Sequence, residues 1–109
     1  MTTDICEVIV TADNADWLAD LTRELVEARL IACGQNISTI RSIYRWRGAV
    51  EDAAEHLLLL KARARDLTVL GERVRALHSY EVPEVVALPI RAGSTAYLAW
   101  LAESTARES

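Results

Sequence analysis

Residues 38–63 read STIRSIYRWRGAVEDAAEHLLLLKAR, and this stretch decides the fold. Its first part alternates in polarity, which is typical of a β-strand with two different faces. One of these faces carries Ile40, Ser42, Tyr44 and Trp46. Gly48 and Ala49 then predict a tight two-residue turn with glycine first, which places Arg45 opposite Asp52 in a long antiparallel hairpin.

The leucine run at residues 57–60 does not alternate, and neither does the VVAL run at residues 85–88. An antiparallel sheet with one solvated face alternates apolar and polar residues, so both faces of these strands are predicted to be dry. Helices can cover only one of the two faces. We therefore expect the other face to pack on further copies of the chain, with cyclic symmetry as the simplest arrangement.

The segments on either side of the hairpin supply the rest of the predicted fold. They are a strand at 5–10, a helix at about 15–30 capped by Asp13 or Asn14, a helix capped by Asp66, a strand at 84–90 with Pro89 near its end, and a short helix capped by Ser94 or Thr95. Pro89 indicates an edge position or an irregularity near the end of that strand. The order of elements is that of the ferredoxin-like, split βαβ fold. We predict one α+β domain over residues 1–109, with helices on one face of an antiparallel sheet and an additional C-terminal helix.

Composition excludes several classes of protein. The chain has 109 residues, of which 51% are hydrophobic and 26% are charged, as in a globular domain. A net charge of -4 argues against general nucleic-acid binding, and no apolar run is long enough to cross a membrane. The N-terminal residues lack the character of a signal peptide, and Cys6 and Cys33 are expected to be buried free thiols. We therefore expect a cytoplasmic protein.

The densest group of polar side chains includes His78, Glu81 and Glu84, which surround Val82 and Pro83. Imidazole and carboxylate groups are ligands for borderline divalent metals, so these three residues form a candidate metal site. Their spacing is not a specific metal signature, since a closed site needs three or four ligands. The alternative is a loop in which His78 bonds to the backbone while both glutamates are solvated or ion-paired.

The arginines of the hairpin and the aromatic side chains are further candidates for a binding role. Arg41, Arg45 and Arg47 are expected to pair with acidic residues across the hairpin, and an anion-binding patch is the alternative. Most of the aromatic surface belongs to Tyr44, Trp46, Tyr80, Tyr97 and Trp100. Packing in the core or at a subunit interface is the default interpretation of these rings, and a ligand-stacking pocket is the alternative.

No motif of a catalytic nucleophile is present in the sequence, so we expect a protein that is not an enzyme. An enzymatic interpretation would use Glu84 with Tyr80 as an acid–base pair, or Lys61 as a desolvated amine. Neither arrangement has a recognisable oxyanion site beside it.

Four motifs resemble those of the CutA family, the divalent-cation tolerance proteins. They are RLIAC at 29–33, SIYRWRG at 42–48, HSYEVPE at 78–84 and YLAWL at 97–101. The resemblance covers nearly the whole chain and keeps the order and separation of the motifs. It implies a ferredoxin-like subunit in a homotrimer, a fold related to PII signalling proteins, and a role in tolerance to divalent cations, copper in particular.

The resemblance also implies a cleft between subunits. The family positions around that cleft correspond to Tyr44, Trp46, Glu55, Lys61, Tyr80, Glu84 and Trp100. Copper sites of the family have been drawn with a cysteine at the end of the first strand and two adjacent histidines. This chain has Val10, Leu77 and His78 at these places, so only His78 remains.

Two functions follow as hypotheses. The first is a homotrimeric tolerance protein that binds a divalent cation such as copper weakly at His78, with help from Glu81 or Glu84. The second is a PII-like module that senses a small molecule or binds a partner at the polar and aromatic cleft, and has no metal role.

Overall fold

Four strands and three α-helices form the fold in a computed structural model that describes residues 3–107. Their bounds are β1 Ile5–Ala12, α1 Ala15–Glu27, β2 Cys33–Trp46, β3 Ala49–Arg63, α2 Leu67–Leu77, β4 Val85–Pro89 and α3 Thr95–Ser104, with a 3₁₀ turn at Ala64–Asp66. The strands form an antiparallel sheet in the order β2-β3-β1-β4. The predicted ferredoxin-like α+β fold is confirmed. The first two and last two residues of the predicted domain lie outside the described residues.

The face of the sheet beneath α1 and α2, here named the covered face, holds the main core. Alternate residues of β1 and β3 point to it, among them Val10, Leu58 and Leu60, and all three are fully buried. α1 begins where the Asn14 side chain accepts a hydrogen bond from the Trp17 N–H, which satisfies one of the free donors of the first turn. The apolar stripe of α1 then packs on the covered face.

The opposite face of the same strands, here named the open face, is apolar but largely uncovered. Leu59 points to it from β3, and Val86 and Leu88 point to it from the edge strand β4. Val86 is 47% exposed and Leu88 is 46% exposed. α3 covers one end of this face, where Leu101 packs with Ile5. The two apolar runs therefore lack alternation because both faces of the sheet are apolar.

The hairpin between β2 and β3 turns one residue earlier than predicted. Arg47 and Gly48 both have positive φ, 50° and 82°, as the central residues of a type I′ turn do. Arg45 therefore lies opposite Val50, and the predicted pairing of Arg45 with Asp52 is wrong. Both the predicted glycine-first turn and the observed turn are primed turns that match the twist of the strands, and in the observed turn Gly48 takes the second central position, where φ is positive. The register differs by two residues, so each side chain keeps its predicted face.

One helix boundary and one helix cap differ from prediction. α1 ends at Glu27, earlier than predicted, because Arg29 just beyond it adopts a left-handed φ of 60°. The Asp66 side chain does not cap α2, since the preceding 3₁₀ turn gives Asp66 a helical backbone instead of the extended one that a cap requires. Its carboxylate instead accepts hydrogen bonds from Arg107 at 2.6 and 3.1 Å.

Three smaller predictions can be compared with the described part of the chain. Pro89 lies in an edge strand, as predicted. Cys6 is buried as predicted, whereas Cys33 is only half-buried, with its Sγ 3.7 Å from the Tyr97 hydroxyl. Among residues 3–107, no helix has both the length and the apolar character needed to span a bilayer.

Candidate functional site

The β2–β3 hairpin extends past the end of β1, and residues 78–84 form a loop beside this extension. Between hairpin and loop is a cavity of about 790 Å³, here named the hairpin cavity. Its carboxylate-bearing residues are Asp13, Glu55, Glu81 and Glu84. Its aromatic residues are Tyr44, Trp46 and Tyr80. The fold thus brings together three segments that are far apart in the sequence.

Glu55 is the most deeply buried acid of the cavity, with 6% of its surface exposed. The Tyr80 hydroxyl donates a hydrogen bond to Glu55 Oε2 at 2.6 Å. Burial, followed by this bond and the charge of Glu55, raises the pKa of Tyr80 well above its ordinary value. Tyr80 therefore remains a neutral donor, and the Glu55 carboxylate has a phenol instead of a cation as its partner.

His78 is buried beside Tyr80, and both of its ring nitrogens are engaged. Nδ1 accepts a hydrogen bond from the Tyr80 N–H at 3.0 Å, and Nε2 donates to the Thr11 carbonyl oxygen at 2.7 Å. An amide N–H only donates and a carbonyl only accepts, so these contacts assign the ring proton to Nε2. The ring also meets Trp17 edge-on, with centroids 5.0 Å apart. His78 therefore anchors the start of the loop to the end of β1.

Arg47 reaches from the tip of the hairpin to the loop. Its Nη2 donates to Glu81 Oε2 at 2.6 Å, and its Cζ lies 5.3 Å from the ring centroid of Trp46. The expectation that Arg47 pairs across the hairpin is therefore wrong. Arg41 does pair across it, with Asp52 at 2.6 Å, as predicted.

The predicted metal site at His78, Glu81 and Glu84 is only partly assembled in one subunit. Glu81 and Glu84 line the hairpin cavity, while both ring nitrogens of His78 are bonded elsewhere. Within residues 3–107, no group of three or more His, Cys, Asp or Glu side chains is arranged to hold a metal ion. The metal site stays a prediction, and for His78 it requires the loss of one of these hydrogen bonds.

Most of the residues predicted for the intersubunit cleft line the hairpin cavity, namely Tyr44, Trp46, Glu55, Tyr80 and Glu84. Lys61 lies six residues from Glu55 along β3, about 20 Å away, and pairs with Glu7 at 3.2 Å. Trp100 lies on α3, with its ring centroid 5.6 Å from that of Tyr97. One subunit does not bring together all of the residues predicted for the cleft. Their convergence at a cleft between subunits stays a prediction.

Sequence reasoning missed Asp13 and Arg47 as residues of the site. Asp13 directly follows Ala12, which pairs with His56 on the neighbouring strand, so Asp13 comes next to the base of the hairpin extension. The pairing of β1 with β3 is therefore a signal that could have found Asp13. No local pattern indicates the contact between Arg47 and Glu81, because the turn and the loop are joined only by the tertiary fold.

Comparison with known proteins gives a family match over most of the chain. A family model described as "CutA1 divalent ion tolerance protein" matches residues 6–104. The "Divalent-cation tolerance protein CutA" of Thermus thermophilus is 45% identical over 98 residues, which cover 90% of this chain and 95% of that protein. "Protein CutA, chloroplastic" of Arabidopsis thaliana is 44% identical over 98 residues, which cover 90% of this chain and 54% of that protein. The chain thus spans about half the length of the plant relative.

Solved structures with the same architecture extend the match to three dimensions. The divalent cation tolerance protein Cut A1 from Thermus thermophilus superposes with a TM-score of 0.90 at 43% identity, over 94% of this chain and 99% of that one. CutA1 from Oryza sativa superposes with a TM-score of 0.92 at 42% identity, over 99% of this chain and 98% of that one. Sequence and structure therefore point to the same family.

Proposed function

The chain belongs to the CutA1 divalent ion tolerance family, and on that premise we propose that it acts in divalent-cation tolerance as a homotrimer that binds copper or a similar cation weakly. The observation that carries this proposal is the family match over residues 6–104, and the hairpin cavity, which four carboxylate-bearing residues line, is where we place the cation. Carboxylate oxygens are common ligands of divalent cations. The name of the Thermus protein, which is 45% identical, supports the same role.

Glu81 and Glu84 are the cation ligands in this proposal. Both are exposed loop residues that line the cavity, so a cation reaches them directly from solvent. Glu55 adds negative charge from the cavity wall, while His78 and Tyr80 hold the loop against β1 and β3. A few carboxylates in an open cavity bind a cation weakly and reversibly, since a tight site needs a closed set of ligands.

The open face supports assembly into the homotrimer. Ile37, Val86 and Leu88 expose apolar side chains on this face, and Leu59 lies among them in the sheet register. Contiguous apolar surface of this kind marks an interaction site on a soluble protein. In a ring with three-fold symmetry, each copy covers the equivalent surface of the next copy. In the proposed trimer, Lys61 and Trp100 of one subunit lie near the hairpin cavity of another, as the resemblance implies.

Calorimetric titration of Cu²⁺ into the untagged protein tests the cation site. Glu84→Gln removes a cavity carboxylate, and we expect the Cu²⁺ affinity to fall by about three- to tenfold because one nearby negative charge is lost. Glu51→Gln is the matched control, since Glu51 lies on the same hairpin but is not among the residues that line the cavity. Equal affinities in both variants, or no Cu²⁺ binding by the wild-type protein, would contradict the proposal.

The size and lining of the cavity favour a second function, which is the sensing of a small molecule by a PII-like module without a metal role. A volume of about 790 Å³ is much larger than one ion requires and lies within the range of small-molecule sites. Tyr44, Trp46 and Tyr80 supply surfaces on which a planar ligand can stack. A metabolite that raises the melting temperature in a thermal-shift screen, with no effect of Cu²⁺, would favour this function. Neither function includes turnover, so we propose a binding protein.

A further inference from the structure

Glu55 is a buried acid whose side chain bonds to a neutral partner in the described part of the chain. Only 6% of its surface is exposed, although it lines the hairpin cavity. Among residues 3–107, its side-chain partner is the Tyr80 hydroxyl, which bonds to Oε2 at 2.6 Å. No buried side-chain oxygen of these residues lacks a hydrogen bond, so Glu55 Oε1 stays accessible from the cavity. A carboxylate removed from water is costly without a cation, so this position favours a positively charged ligand.

The lining of the hairpin cavity is more acidic than basic. Of its described residues, four are acidic and one, Arg47, is basic. The Arg47 guanidinium donates to Glu81 at 2.6 Å and leaves Glu55 to the phenol. Burial raises the pKa of Tyr80 most, and the hydrogen bond and charge of Glu55 and the charge of Asp13 raise it further. The surroundings of the Tyr80 hydroxyl are therefore electronegative.

Aromatic rings line the same cavity as these acids. Tyr44 and Trp46 are both exposed there, so a ligand has access to their rings. The Trp46 ring already attracts one cation, since the Arg47 Cζ lies 5.3 Å from its centroid. Ring faces attract positive charge and also stack on planar groups. The aromatic lining therefore favours a cation that is planar and organic.

A metal ion makes little use of Glu55 and the rings together. It needs several ligand atoms around one point, and within the described range 3–107 no three His, Cys, Asp or Glu side chains are grouped to provide them. The cavity, at about 790 Å³, is also far larger than one ion requires. An organic cation needs only one carboxylate for its charge and ring faces for its apolar part.

We infer that the hairpin cavity binds a planar organic cation of the aryl amidinium or guanidinium class, with its charge at Glu55 and its flat part against Tyr44 and Trp46. This inference rests on the second function proposed above, the sensing of a small molecule, and names the class of that molecule. The cationic group donates to Glu55 Oε1, while Tyr80 keeps its bond to Oε2. Lys61, which the proposed trimer brings near the cavity, already pairs with Glu7 at 3.2 Å.

Three probes of similar size and shape test the requirement for positive charge. Benzamidinium is the cation, benzamide is its neutral counterpart and benzoate is its anionic counterpart. In calorimetric titrations of the full-length protein, we expect benzamidinium to bind about tenfold or more tightly than either of the others. A cavity whose charges are already matched within the protein has no such preference. Equal binding of the three probes, or no binding of benzamidinium, would overturn the inference.

Variants of the acidic residues locate the bound charge. Glu55→Gln keeps the shape of the side chain, and we expect the affinity for benzamidinium to fall by about tenfold. Asp13→Asn changes an exposed residue, so it does not depend on the buried bond to Tyr80, and a fall of about two- to threefold is expected. Glu51→Gln is the matched control, since Glu51 lies on the same hairpin but is not among the lining residues, and its affinity should stay within about twofold of wild type.

An aromatic variant tests the second half of the site. Tyr44→Leu keeps an apolar side chain at an exposed position but removes the ring, and we expect a loss of about three- to fivefold in affinity for benzamidinium. A loss in Glu51→Gln as large as that in Asp13→Asn or Glu55→Gln would overturn the placement of the charge. Unchanged affinity in Tyr44→Leu would overturn the stacking.

The outcomes distinguish this inference from the function on which it rests. If the thermal-shift screen finds a stabilising anion or neutral metabolite while benzamidinium does not bind, the sensing of a small molecule stands and the class of ligand inferred here is overturned. If neither benzamidinium nor any metabolite of the screen binds, the second function is overturned, and this inference with it.

Discussion

The two faces of the sheet are built from the same four strands but meet different surroundings. On the covered face, Leu58 and Leu60 have no exposed surface, while on the open face Val86 and Leu88 are nearly half exposed. The two groups of residues are similar in size and hydrophobicity, so composition does not distinguish them. The difference shows that the covered face holds the core of the subunit, whereas the open face leaves apolar surface uncovered.

The largest expected effect comes from comparing equivalent leucine substitutions on the two faces of the sheet. Leu60→Ala empties a fully buried position, and we expect the free energy of unfolding to fall by about 2–5 kcal/mol. Leu88→Ala removes the same atoms from a half-exposed position, and its effect should fall on association more than on the subunit. Urea unfolding at two protein concentrations, with light scattering, measures both effects. Equal losses of stability with unchanged association would show that the two faces do not differ in role.

The apolar character of both faces is what the sequence predicts best. The unbroken apolar runs indicate two dry faces, and the order of periodic segments indicates the ferredoxin-like fold. Residue-level pairing is less predictable, as the hairpin shows. A glycine-first turn at Gly48 and Ala49 predicts one register, whereas the positive φ angles of Arg47 and Gly48 place the turn one residue earlier and give another. Asp66 shows the same limit, because its partner Arg107 lies 41 residues away.

The candidate site could be predicted only in part. Tyr44, Trp46, Glu55 and Tyr80 were grouped through a family resemblance, and the fold places all four at one cavity. His78 was singled out for its chemistry, but the hydrogen bonds that engage both ring nitrogens come from Thr11 and from the backbone of the loop. Contacts of this kind depend on the distance between segments in the folded chain, which spacing along the sequence does not give.

The second-largest effect concerns His78, which joins the loop to the rim of the sheet. His78→Ala leaves the Thr11 carbonyl and the Tyr80 N–H without this partner, and we expect a loss of about 2–3 kcal/mol in unfolding free energy. His56→Ala is the control, since His56 is less buried and its ring forms a hydrogen bond with the Ser38 hydroxyl. Thermal and urea unfolding measure the difference.

The same His78 variant distinguishes two roles of His78: holding the loop in place and binding a metal ion as a ligand. We expect its Cu²⁺ affinity to stay within about threefold of wild type, because the glutamates carry the cation in our proposal. A loss of affinity well beyond tenfold in a variant that remains folded would instead make His78 a ligand, as the resemblance to the family implies.

A smaller effect is expected at Tyr80. Tyr80→Phe removes the hydrogen bond to Glu55 and should lower the unfolding free energy by about 1–2 kcal/mol. Because the folded protein raises the pKa of Tyr80, the wild-type protein keeps this contribution below the ordinary tyrosine pKa near 10 and loses it as the pH rises beyond that value. Urea unfolding between pH 8 and 12 should therefore show a shallower alkaline loss in Tyr80→Phe. Identical alkaline slopes would contradict a raised pKa of the hydrogen-bonded Tyr80 phenol.

The smallest effect is expected at the exposed ion pair of Arg41 and Asp52, on the hairpin but outside the cavity. The hydrogen bond from Arg41 lowers the pKa of Asp52. Its contribution to stability is therefore present above the ordinary Asp pKa and is lost as the pH falls below it. Asp52→Asn should flatten the decline in melting temperature below pH 4 slightly at low salt and not at all in 1 M NaCl. An effect as large as that of Tyr80→Phe would contradict a solvent-screened pair.

The mass of the native assembly tests the role of the open face most directly. Native mass spectrometry of untagged protein, together with light scattering over a range of dilutions, gives the number of subunits. We expect one species of about 36 kDa, three times the 12.1 kDa of a single chain. A stable species of about 12 kDa at every concentration would contradict the assembly of copies across the open face.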